Sequence, residues 1–158
     1  MEEQTHWLDA TEQAVWLGYR QMKRLLDARL AAELAADSGL SEPDYDVLSI
    51  LNDSDTPRWC LKDLSARLLW SPSRLSHHVA RMQSRNLVMR LPCDTDARGT
   101  DIALTPAGRQ AIVAAAPGHV TAVRRHVFDQ LTATDLINLT RITRKITAHL
   151  RTLDDPGK

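Results

Sequence analysis

The stretch from Lys62 to Thr105 constrains this chain more than any other. It reads KDLSARLL, WSPS, RLSHHVARMQSRN and then LVMRLPCDTDARGTDIALT. The spacing predicts two short helices joined by a tight turn, followed by a β-hairpin with a charged tip. Ser71 is a strong N-cap, and Pro72 sits at the first helical position, where its missing N–H is harmless. On the helix that follows, Leu75, Val79 and Met82 form one face. Arg74, His77, His78 and Arg81 are placed near one another on the opposite side. A helix with an apolar back and a small, polar and basic front suits the DNA major groove.

Charge supports that reading only when it is resolved along the chain. The formal net charge is zero, which on its face argues against a polyanion. Residues 1–56 carry four basic against twelve acidic groups, a net of −8, and residues 57–100 carry eight against three, a net of +5. The remaining residues carry eight against five, a net of +3. The basic segment coincides with the helix pair and hairpin, the footprint expected of a nucleic-acid binder.

The flanking sequence is helical. Asp9 and Glu12 form a capping-box pattern, followed by Val15, Trp16, Tyr19, Met22, Leu26, Leu30 and Leu34 at helical period. Such a helix is too long for a small core and is expected to pack partly on another chain. Ser38-Gly39 ends it, and Ser41 caps the next, with Tyr45, Leu48 and Leu51 facing inward. Trp59-Cys60-Leu61 is a β-prone run that could pair one rung with the hairpin. The helix over 62–69 buries Leu64, Leu68 and Ala66, and Trp70 wedges the turn. The helix from Ser71 runs to Arg85, and Asn86 takes the left-handed position that ends it. Strands are expected at 87–92 and 101–104. Thr105 and Pro106 start a further helix, which Pro117-Gly118 should kink or break near 114–118. Thr132 and Asp135 start the last helix, with Leu136, Leu139, Ile142, Ile146, Leu150 and Leu153 on one face.

Several classes are disfavoured. Aromatics make up 4% of the chain, too few for a sugar-binding or base-stacking surface. No apolar run reaches membrane-spanning length and no signal-peptide pattern is present, so a cytoplasmic protein with no membrane partner is expected. No GxSxG, P-loop, HExxH or GxGxxG pattern occurs, so no catalytic residue is assigned and no enzyme is expected. His77 and His78 point about 100° apart on a helix and cannot easily chelate one ion. Cys60 and Cys93 lack metal-ligand spacing. No metal and no cofactor is expected, and the thiols read as structural or incidental.

The segments LSARL, SRLSHHVARM, NLVMR, DTDARG and LTPAGR, preceded by GLSEPDYDVLSIL, resemble the MarR family of bacterial transcription regulators in the expected order. Asn86 stands where the family commonly has Gly, and the DARG tip has one basic residue fewer than the frequent DRR type. The resemblance implies a mainly α fold with a small β-hairpin wing. It implies a single unit over 1–158, with a winged helix-turn-helix lobe at 41–105 and dimerisation helices at 8–36 and 106–153. It also implies a homodimer on a pseudo-palindromic double-stranded DNA operator, acting as a repressor released by a small, phenolic or anionic effector. The expected DNA contacts are Ser71, Ser73, Arg74, Ser76, His77 and Arg81, with Arg98 and Gly99 at the wing tip. Trp16, Tyr19, Arg20, Tyr45 and His119 are the candidate effector-pocket residues. Two alternatives stand beside this reading: a thiol-redox-sensing regulator resting on Cys60 and Cys93, the latter beside the wing, and a protein-interaction winged helix without DNA binding.

Overall fold

The element boundaries follow from local chemistry. In a computed structural model, which describes residues 5–55, 58–93 and 99–153, helix α1 spans Ala10–Ser38. Asp9 accepts the Glu12 amide at 2.8 Å while Glu12 accepts the Asp9 amide at 3.0 Å, the reciprocal cap that the spacing predicts. Gly39 ends α1 at φ +70°, a conformation that costs glycine nothing. Helix α2 (Glu42–Asn52) starts on a second reciprocal cap, between Ser41 and Asp44.

Strand β1 (Arg58–Cys60) is followed by α3 (Leu61–Leu68) and α4 (Pro72–Ser84). Strands β2 (Val88–Pro92) and β3 (Thr100–Leu104) form the hairpin, and α5 (Pro106–His126) and α6 (Ala133–Leu153) follow. The sheet is antiparallel in the order β1-β3-β2, so the first strand lies beside the last. The registers Cys60↔Asp101 and Leu91↔Asp101 put β3 in the middle. Pairing of β1 therefore extends over three residues rather than one rung, and Leu61 belongs to the helix.

The chain divides into two units, Met1–His119 and Val120–Lys158. The first has a continuous core: Val47, Leu48, Leu51, Leu64, Leu75, Val79, Met82 and Ile102 are fully buried, with Leu34, Leu87, Val88, Ile112 and Ala115 around them. The first half of α5 thus serves this core. Tyr45, Trp59 and Trp70 pack on its edge. On α3, Ser65 is buried and Ala66 exposed, the reverse of the expectation for Ala66. The Ser65 hydroxyl resolves its own burial by donating to the Lys62 carbonyl at 2.8 Å.

Helix α5 runs unbroken through Pro117, against the expected break. Proline there removes one helical hydrogen bond and crowds the carbonyl of Val113. Pro117, Gly118 and Val113 are exposed, so the loosened turn faces water rather than an apolar core. In the second unit, the Thr132 hydroxyl accepts the Asp135 amide at 3.2 Å and the Asp135 carboxylate accepts the Thr132 amide at 2.9 Å. Helix α6 follows, and none of its residues is buried.

Candidate nucleic-acid interface

Helix α4 is fixed from behind. Leu75, Val79 and Met82 are 0% exposed, so the helix can neither rotate nor slide without opening the core. His78 shares this buried side and does not join Arg74 and His77 on the front, as the sequence reading had it. The reason is helical phase: His78 lies three residues after Leu75 and four before Met82, on the same stripe.

The buried end of α4 carries a charge network. Asp44 accepts from Arg85 Nη1 at 2.7 Å and from the Ser41 amide at 3.0 Å, both through Oδ2. Its Oδ1 lies 3.1 Å from His78 Nε2, close but poorly aligned for a hydrogen bond. Arg85 also donates to the Gly39 carbonyl at 3.0 Å. The start of α2 is thereby tied to the end of α4. Burial pushes the Asp44 carboxyl up, but the Ser41 amide, the Arg85 guanidinium and the Ser41 hydroxyl together hold it below its ordinary range. His78 is pushed down, first by burial and against the pull of Asp44, with Arg81 adding to the depression. Arg81 Nη2 donates to His78 Nδ1 at 2.9 Å. That bond needs a lone pair on Nδ1, so the imidazole is neutral with its proton on Nε2, toward Asp44.

The front of α4 is open. Ser71, Ser73, Arg74, His77 and Arg81 are all exposed, and Ser76 is half-buried. Ser71 Oγ accepts the Arg74 amide at 3.2 Å, so its capping role is real. The Arg74 guanidinium lies 4.1 Å over the Trp70 ring, a cation–π contact that pre-orients it beside the turn. Trp70 in turn meets His78 edge-on at 5.6 Å. The turn itself needs Leu69 in the left-handed region, at φ +55°.

The sequence reading missed Arg90. From β2 its Nη2 donates to the Ser76 carbonyl at 2.8 Å and to Ser76 Oγ at 3.1 Å. This brings an exposed guanidinium from the wing to the middle of α4. No local pattern shows such a pairing, although a lone basic residue in an otherwise apolar strand is a usable hint.

The hairpin is latched to α5. The Thr105 hydroxyl lies 2.7 Å from the Asn86 carbonyl and 3.0 Å from that of Leu87, and it accepts the Gly108 amide at 2.9 Å. A Cβ on Gly108 would sit 1.9 Å from the Leu87 carbonyl oxygen, so no side chain fits there. Asn86 adopts φ +57°, the left-handed position its sequence context predicts. Gly99 accepts the Cys93 amide at 3.3 Å and closes the base of the wing loop. Arg98, the expected tip contact, lies outside the described residues.

The candidate effector residues form two groups. Trp16 and Tyr19 stack at 5.9 Å, with the Arg20 guanidinium 6.0 Å from the Trp16 ring, on a largely exposed part of α1. Tyr45 and His119 form a separate ring pair at 4.3 Å. His119 Nδ1 is buried without a hydrogen-bond partner. Cys60 and Cys93, distant in sequence, come together with Asp101: one ligand atom from each lies within 4.8 Å of the others.

No family model and no curated protein matches the chain. Solved structures do. AbsC from Streptomyces coelicolor, a MarR family transcriptional regulator, is 38% identical over 94% of this chain and 99% of its own, with a TM-score of 0.88. Sco3205 from the same organism, a MarR family transcriptional regulator solved in complex with DNA, is 36% identical over 94% of this chain and 93% of its own, also at 0.88. The organohalide-sensing regulator RdhR-CbdbA1625 in its 2,4-dichlorophenol-bound form shares the fold at 17% identity, covering 94% of this chain and 88% of its own, with a TM-score of 0.77. With identity of this level to AbsC over nearly its whole length, and a winged unit built as the family's sequence signature requires, the chain belongs to the MarR family of transcriptional regulators.

Proposed function

We propose that this DNA-binding transcriptional regulator acts as a homodimeric repressor whose α4 enters the major groove, with the wing on the neighbouring backbone. The front of α4 carries the reading: five exposed polar or basic side chains on a helix whose back is fully buried. Arg74 and Arg81 suit bidentate contacts to guanine, worth ~1–3 kcal/mol of discrimination each. Ser71 and Ser73 stand at the helix N-terminus, where amides and the helix dipole favour phosphate. Ser76 and His77 complete the helix face. Gly99 and Arg98 belong to the wing, with Arg98 in the minor groove. The relative solved with DNA supports this arrangement.

Residues 41–105 form the reading lobe in this proposal, and 8–36 with 106–153 supply the dimer helices. Support for the dimer comes from the exposed apolar residues of α1 and α6. Two copies related by a two-fold axis would set two α4 helices ~34 Å apart, in successive major grooves. The protein is placed in the cytoplasm, where operator DNA is; among the described residues, no helix is long and apolar enough to cross a membrane.

A small aromatic, anionic or phenolic effector is proposed to release the DNA. Tyr45 with His119 is the better-supported anchor, because His119 Nδ1 is a buried polar atom without a partner. Trp16, Tyr19 and Arg20 form a second, more exposed candidate surface. The structurally similar dichlorophenol-bound regulator supports an aromatic ligand for this fold.

Gel-shift titration against the DNA flanking its own gene, at several salt concentrations, tests the function. Selective binding is expected, with log K falling by ~0.9 per phosphate contact per log unit of salt. Equal affinity for random DNA would overturn it.

A further inference from the structure

We propose that Cys60, Cys93 and Asp101 form a zinc-class metal site at the base of the wing. The sheet assembles it. Cys60 is the direct cross-strand partner of Asp101 on one side of β3. On the other side, Leu91 faces Asp101, and Cys93, two residues further on, shares that face. The three side chains therefore stand on one face of the sheet, and their donor atoms lie within 4.8 Å of one another. A tetrahedral zinc with sulfur at ~2.3 Å and oxygen at ~2.0–2.2 Å needs ligand spacings somewhat shorter than this, so a small contraction would complete three ligand positions.

Two further observations point to a ligand rather than to chance proximity. Asp101 is 8% exposed, and its Oδ1 is buried without a hydrogen-bond partner. A buried carboxylate oxygen left unmet is costly. Its other oxygen, Oδ2, accepts from Arg58 Nε at 2.5 Å, while Arg58 Nη2 donates to the Pro92 carbonyl at 2.7 Å. The guanidinium thus holds the carboxylate as an outer hydrogen-bonding group holds a metal ligand. Cys93 is also buried, Cys60 is half-buried, and neither is in a disulfide.

The donor set selects the ion. Two thiolates disfavour magnesium and calcium, and the carboxylate disfavours copper(I), leaving zinc or a zinc-like ion with a water in the fourth position. Binding would displace the two thiol protons to solvent. It would tie β1 to the far end of β2, next to the loop that carries Arg98.

The test uses the full-length protein, metal-free, reduced with a phosphine and kept from oxygen. Cobalt(II) is added first and then displaced by zinc against a chromophoric chelator. One equivalent per chain and a sulfur-to-cobalt charge-transfer band are expected, and zinc should protect both thiols from alkylation. Cys60→Ser and Cys93→Ser should each weaken zinc binding about tenfold or more and cut the band to roughly half; Asp101→Asn should keep the band with about tenfold weaker binding. If Asp101→Asn does not fold, the two cysteine variants still decide. Absence of the band, or unchanged zinc affinity in the double cysteine variant, would overturn the site. So would a protein that forms a Cys60–Cys93 disulfide on oxidation yet takes up no zinc when reduced, because the pair would then be a dithiol. None of these readouts involves DNA, so the result is independent of the proposed operator function.

Discussion

Apolar stripes of the same helical period meet opposite fates in two regions of this molecule. In the winged unit, the stripes of α2 and α4 are closed: Val47, Leu48, Leu51, Leu75, Val79 and Met82 are 0% exposed. On α6, Leu136, Leu139, Ile142, Ile146, Leu150 and Leu153 recur at the same helical period, yet are 36–63% exposed. Trp16, Tyr19 and Met22 on α1 are about half exposed as well. Helical periodicity reports that a face wants burial; it does not report what buries it. The stripes of α2 and α4 are satisfied within their own unit, whereas a contiguous open stripe on a helix of 21 residues is the kind of surface a second chain covers.

The strongest way to break this contrast is to damage the closed side. Leu48→Ala leaves a cavity in a site with no exposure and is expected to cost ~2–5 kcal/mol. Urea unfolding should show the lower midpoint by the same amount at every protein concentration. A loss below ~1 kcal/mol would mean that the core is not closed as described.

On the open side, Ile142→Lys is expected to act on association. It places a charge in the middle of the α6 stripe and should weaken the proposed dimer by ~2–3 kcal/mol, a value in the range of interface hot spots. Sedimentation velocity over a range of concentrations should show dimer for the wild type and monomer for the variant, with helicity retained. A variant that stays dimeric at the same concentrations would remove α6 from the interface. Arg85→Ala returns to the closed side with a smaller effect. Asp44 would keep its Ser41 hydrogen bonds but lose its charged partner, and Arg85 is itself half exposed, so ~1–3 kcal/mol is expected. Equal stability of variant and wild type in urea would show that the tie between α2 and α4 contributes little.

Much of this was legible in the sequence because caps and turns are local. Asp9, Ser41, Ser71, Thr105 and Thr132 all cap where their spacing says, and Gly39 and Asn86 both take the left-handed position. The hidden features are pairings across the fold. Nothing near Cys60 says that Asp101 will stand opposite it, because register depends on how three strands meet. The bond from Arg90 to Ser76 crosses from sheet to helix, and the Arg85–Asp44 pair spans 41 residues. His78 is a different kind of miss. Its phase with Leu75 and Met82 was visible, but a histidine among arginines reads as surface until its neighbours on the stripe are counted. Pro117 shows the opposite limit: a local rule predicts a break, and an exposed helix turn tolerates the residue.

The His78–Asp44 contact gives the gentlest test of the comparison, because it sets a pH dependence on the closed side alone. Burial depresses the folded-state pKa of His78, and the Asp44 carboxyl is also held low. A neutral imidazole in the fold becomes protonated more readily once unfolded, so the unfolded state binds more protons as pH falls below the ordinary histidine value of about 6.5. The stability contributed by this group is complete above that value and is lost as pH drops toward the folded-state pKa. One linked proton can change stability by at most about 1.4 kcal/mol per pH unit. Urea midpoints at pH 7.5 and 5.5 should therefore be lower at the acid value for the wild type, and the gap should narrow in His78→Gln, whose side chain does not titrate. The dimerisation constant of His78→Gln should match the wild type at both pH values, because His78 lies in the winged unit and not on the α6 stripe. If the gap in midpoints is the same in both proteins, His78 is not the source of the pH response.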